Sequence, residues 1–148
     1  MSAYAYAEKP AKGRDAIAVP ARLKSLDELA DGVRQIAAGD AARLLRDEQV
    51  AILDVRNRPD YGRSRVPRAQ NAPRGQLEEL AGGMLVPEAL RQIIVYSEDG
   101  KLGGLAASTL IEMGYQGVVN LQGGFEEWRR QGLPVDDRPV DHRPGLFS

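Results

Sequence analysis

Six consecutive residues, Ser97, Glu98, Asp99, Gly100, Lys101 and Leu102, combine a hydroxyl, two carboxylates, a glycine and a cation between an apolar run, IIVY, and a small-residue stretch, GGLAAS. A buried strand, a polar loop and the start of a helix are the expected elements, and such loops usually carry chemistry. The chain sets sharp limits on that chemistry, because it has no cysteine and one histidine. Disulfides, thiolate metal sites and a cysteine nucleophile are excluded in this chain. The lone histidine, His142, makes no metal site and reads as a tail residue, so neither metal nor cofactor is expected. Asp54 and Arg56, at the end of a second apolar run, AILDV, are the other candidates. They either orient the loop or a partner, or act structurally, the acid satisfying amides and the arginine pairing with it.

The elements needed to position these groups follow from the pattern. AILDV and IIVY read as strands of a parallel sheet covered on both faces, with GVVNL as the last strand and VRQI as a short first one. Between them, AARLLRDE, capped by Asp40, reads as a helix with Leu44 and Leu45 inward. NRPDYG is expected as a turn, and VPRAQNAPRG as an irregular or edge segment, since Pro67 and Pro73 remove ladder donors. QLEEL and PEALRQ are expected as short helices flanking a turn at Gly82 and Gly83, followed by helices over GGLAASTLIEMG and FEEWRRQG. Ser25 and Glu28 have capping-box spacing, which predicts an additional helix at about residues 25–31. Alternating strands and helices argue for an α/β layer fold, in which sites form where strands end and helices begin. The expected organisation is a flexible lead-in over residues 1–22, one domain over 23–135 and a polar tail over 136–148.

Composition narrows the partners. With 20 basic and 21 acidic side chains and a formal net charge of -1, the chain has no global field to hold a nucleic acid. No apolar run approaches the roughly 20 residues of a membrane helix, and the N-terminus has no signal-peptide core, so a cytoplasmic protein without membrane contact is expected. Arg63, Arg65, Arg68 and Arg74 cluster in RSRVPRAQNAPRG and either face an acidic protein partner or form a solvated loop. Trp128, in FEEWRRQG, reads as a core anchor rather than a binding aromatic.

Several of these segments, in order, resemble the single-domain rhodaneses. AILDVRNRPDY is similar to that family's LIDVR followed by an acidic-aromatic pair, and RVPRAQNAP resembles its GHIPGAINIP segment. MGYQGVVNLQGGFEEWRRQGLPV resembles its closing MGY, V-x-x-L-x-GG, W and G-x-P signature, so the likeness covers roughly residues 33–135. The resemblance implies a three-layer fold with a five-stranded, mostly parallel sheet between helices, and an active loop at Ser97 to Leu102. In active members the first loop residue is a cysteine that carries a persulfide from a sulfur donor to an acceptor. Here Ser97 stands in that place, and a hydroxyl cannot form and release the S–S bond the intermediate requires. The family's arginine and serine near the loop's end are replaced by Leu102 and Gly103, and its histidine and glycine upstream by Arg65 and Arg68.

A rhodanese loop cradles an anion with backbone N–H groups, and Gly100, Gly103 and Gly104 are placed to shape such a nest. Glu98 and Asp99, set against Lys101 alone, are expected to repel that anion, at about 1–4 kcal/mol per charge, enough for a tenfold loss or more. Ser97 reads as the mark of a former site, with phosphorylation or ligand binding as the sharper alternative. The leading expectation is therefore a rhodanese-like domain, inactive in persulfide transfer, acting as a protein-binding or regulatory module. The alternative is a thiosulfate or protein-persulfide sulfurtransferase whose catalytic cysteine is replaced by Ser97 in this chain. A phosphatase or arsenate-reductase activity, found among relatives of the family, is disfavoured by the absence of both the cysteine and the loop arginine.

Overall fold

The computed structural model describes residues 32–85 and 90–140. The expected helix at 25–31 and His142 lie outside the described residues. Five strands form one parallel sheet: β1 (Arg34–Ile36), β2 (Val50–Asp54), β3 (Gln70–Asn71), β4 (Gln92–Tyr96) and β5 (Val118–Leu121), in the order β1-β5-β4-β2-β3. The helices among the described residues are α1 (Ala38–Leu44), α2 (Arg58–Arg63), α3 (Leu77–Met84), α4 (Lys101–Glu112) and α5 (Gly124–Arg130). None of them is long and apolar enough to cross a membrane.

Strand alternation divides the core into two apolar layers. Leu53, Ile93, Val95 and Val118 pack with Leu77, Ala81, Ala106, Ala107 and Leu110 of α3 and α4. Val50, Ile52, Ile94, Tyr96, Val119 and Leu121 face the other way, onto Ala38, Ala41, Phe125 and Trp128 of α1 and α5. Each central strand is thus covered twice, which is why AILDV and IIVY read as nearly unbroken apolar runs. Trp128 is an anchor of the second layer, its indole N–H donating to Pro134 O at 2.7 Å. Asp54 stands level with Tyr96 on one side and Asn71 on the other, so three strand ends meet at one rim.

Several local expectations are corrected. NRPDYG is not a plain turn: Asn57 caps α2 by accepting the Asp60 N–H at 2.8 Å, and Pro59 fits its first turn. Asp40 does not cap α1, whose N-cap is Ala37, but lies in its first turn and pairs with Arg43. That helix ends at Leu44 rather than running on, and Asp47 Oδ1 takes the Gln49 N–H in the turn that follows. Gly82 and Gly83 lie inside α3 instead of forming a turn. The glycine cost of about 1 kcal/mol each is offset by burial of Leu77 and Ala81, with Leu80 and Met84 packed alongside. PEALRQ falls partly outside the described residues, and Gln92 already belongs to β4. The segment RVPRAQNAP does run along the edge of the sheet, where β3 pairs with β2.

Candidate functional site: the loop after β4 and the arginine-lined cavity beside it

Ser97 follows β4 directly and is buried, at 3% exposure. Its Oγ accepts the Gly100 N–H at 3.0 Å and the Gly103 N–H at 2.9 Å. These amides open the first turn of α4 and have no carbonyl of their own helix to reach. The nest expected for an anion therefore exists, and the serine oxygen occupies it. Gly104 is not part of it, because its N–H joins the helix ladder through Gly100 O. Gly103 leaves the room this needs: a Cβ there would collide with Asn120 Oδ1 and crowd the Ser97 amide and hydroxyl.

The start of α5 fixes the loop from the other side. Phe125 N–H donates to Ser97 O and Glu126 N–H to Glu98 O, both at 2.9 Å. That approach requires glycine at Gly124, whose φ is +62° and whose Cβ would run into the carbonyls of Ser97 and Glu98. Asn120, on β5, adds a bond from Nδ2 to Gly100 O at 2.9 Å.

Glu98 and Asp99 do not confront Lys101 alone. Glu98 Oε1 accepts from Arg56 Nη1 at 3.2 Å, and Oε2 from Arg129 Nη2 at 2.9 Å, so its charge is matched twice. The expected repulsion by Glu98 is corrected accordingly. Asp99 is exposed and its Oδ1 accepts the Lys101 N–H at 3.0 Å, while Lys101 and Leu102 face solvent.

Arg56 is itself held rigidly. Its Nε and Nη2 grip the Asp54 carboxylate, with Nη2 to Oδ2 at 2.7 Å, and Nη2 also donates to Ser64 O. Asp54 is fully buried and further accepts the Arg56 N–H and the Tyr96 hydroxyl. Burial opposes the guanidinium charge, but the bonds and field of Asp54 outweigh it, so the Arg56 pKa is raised. Burial, and then the adjacent Asp54 charge, push the Tyr96 phenol well above its ordinary value, which keeps it a neutral donor. The pair is thus a buried support whose arginine reaches the loop.

The arginine cluster dissolves into separate roles. Arg65 is buried against the Tyr61 ring, donates to Tyr61 O and Arg138 O, and pairs with Asp136 at 3.5 Å. Arg68 sits at φ +75° and donates to Leu45 O at 2.5 Å and Val50 O at 2.7 Å, tying β2 to the edge segment. Arg74 lies in the short turn before α3, half-buried, with its Nε unpartnered. The four arginines therefore do not form one basic face. Asp136 and Arg138, assigned by sequence to the tail, are bound to the domain through Arg65, whose backbone exchanges hydrogen bonds with Asp136.

Only Arg63 of that cluster reaches the loop region. A cavity of about 360 Å³ is lined by Arg56, Asp60, Arg63, Ser64, Glu98, Phe125 and Arg129. The guanidinium carbons of Arg56 and Arg129 lie 4.4 and 4.8 Å from the centroid of the same Phe125 ring. Arg129, Phe125 and Asp60 were not singled out from sequence. The four-residue spacing of Phe125 and Arg129 on a helix was the available signal, since it places them on one face.

Known proteins resemble this arrangement throughout. A family model for the rhodanese-like domain matches residues 37–131. A sulfurtransferase of Allochromatium vinosum is 29% identical over 93 residues, spanning 63% of this chain and 84% of its own. The thiosulfate sulfurtransferase GlpE of Coxiella burnetii is 27% identical over 96 residues, spanning 65% and 87%. Among solved structures, a polysulfide-sulfur transferase homodimer from Wolinella succinogenes superposes with a TM-score of 0.65 at 27% identity, covering 80% of this chain and 89% of that one. With strand order, rim and matched residues in agreement, the chain belongs to the rhodanese-like domain family.

Proposed function

We propose that this rhodanese-like domain does not perform persulfide sulfur transfer and serves as a protein-binding or regulatory module. One observation carries the reading: the residue in the place of the family's cysteine is Ser97, and its oxygen already accepts both N–H groups of the loop cradle. An oxygen engaged by two donors is a poor nucleophile, and no S–S bond can form at it. The carboxylates nearest the loop are engaged elsewhere, Asp54 by Arg56 and the Tyr96 hydroxyl and Glu98 by Arg56 and Arg129, and neither accepts from the Ser97 hydroxyl. Burial of Ser97 also weighs against its phosphorylation.

The second reading, a sulfurtransferase whose cysteine is replaced by Ser97, draws support from the same cradle, which would stabilise a thiolate as readily as a hydroxyl oxygen. A thiosulfate:cyanide sulfurtransferase assay on this chain and on Ser97→Cys, with folding checked by circular dichroism, separates the two. Silence from the chain as it stands is expected, and turnover by it would overturn the first reading. An active Ser97→Cys variant would support the second reading, whereas two silent, folded proteins would remove it.

A further inference from the structure

Glu98 is the only residue of the loop that lines the cavity, and its two oxygens bind two different guanidiniums, those of Arg56 and Arg129. The cavity thus already presents one carboxylate held between two arginines. Its 3.2 Å contact to Arg56 is longer than the roughly 2.7–2.9 Å of a strong charge-assisted bond. The Glu98 side chain is 41% exposed, so a change of rotamer carries it into water. Arg56 cannot follow, because Asp54 and Ser64 O hold the rest of its guanidinium. Once Glu98 has turned away, three guanidiniums line the space, that of Arg56 still bound to Asp54, that of Arg63 paired with Asp60 and that of Arg129 without its carboxylate. Arg129, 52% exposed, loses its partner when Glu98 turns and can close on an incoming group, while Arg63, 71% exposed, is paired with Asp60 across a solvated contact.

We infer that this cavity receives a carboxylate from an acidic segment of a protein partner, and that Glu98 is the resident carboxylate which that segment displaces. The assignment rests on the protein-binding reading above and gives it a location. Complementarity selects the ligand class: planar guanidinium edges meet a carboxylate, and the ring of Phe125, the sole apolar residue in the lining, is already engaged by the guanidiniums of Arg56 and Arg129. At about 360 Å³ the cavity exceeds the needs of a single inorganic anion and falls at the lower end of ligand-site volumes, roughly 300–1,000 Å³. Glu98 then acts as a competitor that offsets part of the site's positive charge until a multivalent acidic segment arrives.

The test is calorimetric titration of the full chain at low salt with an acetylated pentaglutamate peptide, with pentaglutamine and inorganic phosphate as parallel probes. Binding of pentaglutamate and not of pentaglutamine is expected, weakening as salt rises. Glu98→Gln should tighten it by about fivefold, and Arg129→Ala should weaken it by a similar factor. Both side chains are partly exposed, and circular dichroism checks that each variant is folded. Unchanged affinity in Glu98→Gln would refute the competitor role, and unchanged affinity in Arg129→Ala would refute the site. Phosphate binding as tightly as the peptide would reassign the cavity to inorganic anions. A sulfurtransferase assay on the same samples keeps the two readings apart: failed titration with a silent assay sinks only this site, and turnover sinks the inactive-module reading whatever the titration gives.

Discussion

Replacing Ser97 by alanine deletes one oxygen and strands two donors, and the structure says what each costs. The Gly103 N–H is buried and, as part of the first turn of α4, has no carbonyl within its helix to turn to. Leaving it unsatisfied costs about 1–3 kcal/mol. The Gly100 N–H is only partly buried, so water can replace the serine, and the loss there is about 0.5–1.5 kcal/mol. The sum, about 1.5–4.5 kcal/mol, is a large share of a typical domain's stability of roughly 5–15 kcal/mol. In urea, with a slope of about 1.5 kcal/mol per molar, the midpoint should fall by roughly 1–3 M.

Ser97→Cys separates this account from a general intolerance of change at the position. A neutral thiol is a weak acceptor, so the variant should also lose stability at acidic and neutral pH. The two N–H donors favour the thiolate, which holds the folded pKa below the unfolded value of about 8.5. Stability should therefore be recovered as pH rises through the folded pKa, be complete above the unfolded one, and be lost again on acidification. Urea titrations across pH, with thiolate absorbance to locate the ionisation, provide the measurement. A Ser97→Ala midpoint within about 0.3 M of the original, or a Ser97→Cys stability flat with pH, would refute the filled-cradle account.

Other perturbations address the support around the loop. Arg56→Ala leaves the fully buried Asp54 carboxylate without its cation and should cost about 3–5 kcal/mol in urea unfolding; Arg56→Lys should recover only part, since a point charge cannot reproduce the fork. Arg68→Ala should be more destabilising than Arg68→Gly by about 1 kcal/mol, because both lose the bonds to Leu45 O and Val50 O but only glycine relaxes the φ of +75°. The Asp136 carboxyl is held well below the usual aspartate range, first by its bonds from Arg138 and then by the charge of Arg65. Its contribution is complete above the unfolded value of about 3.9 and fades as pH falls toward the folded one. The hydrogen-exchange protection factor of the Arg65 amide, which donates to Asp136 O, should fall in acid, and Asp136→Asn should remove that dependence.

The layer order and the position of the loop were legible because they depend on patterns the chain carries locally. AILDV and IIVY are apolar without alternation, as a strand covered on both faces demands, and the paired glycines before Phe125 mark the approach of α5 to the loop. What escaped were partners chosen across the fold. Glu98 finds Arg129 31 positions away and Arg56 42 positions away, and no local pattern assigns a charge to a distant counterion. The same blindness made Arg65 and Arg68 look like a shared basic surface, when their side chains are absorbed by Tyr61, Arg138, Leu45 and Val50. Neighbouring like charges in sequence report little about a common face when a proline lies between them and one of them, Arg68, is itself left-handed.

With serine in the first position of the loop, the loop's bonds are satisfied. An arginine gripped by a fully buried carboxylate extends to Glu98, the Tyr96 hydroxyl closes that carboxylate from behind, and α5 clamps Ser97 and Glu98 through their carbonyls. With Ser97 filling the nest and Glu98 bridging two guanidiniums, the N–H groups that would meet an anion in the loop are spent internally. Stabilisation of that kind lowers the free energy of the unliganded loop, so any anion entering the nest must first break bonds the protein has already made. The cavity next to it presents a lower barrier, since the bonds to be broken there are the ion pairs of Glu98 and of the exposed Arg63 and Arg129, at side chains that water can reach. On the proposed reading, recognition at this rim shifts from the backbone nest, already filled by Ser97, to the side-chain arginines of the neighbouring cavity, whose guanidiniums suit a carboxylate.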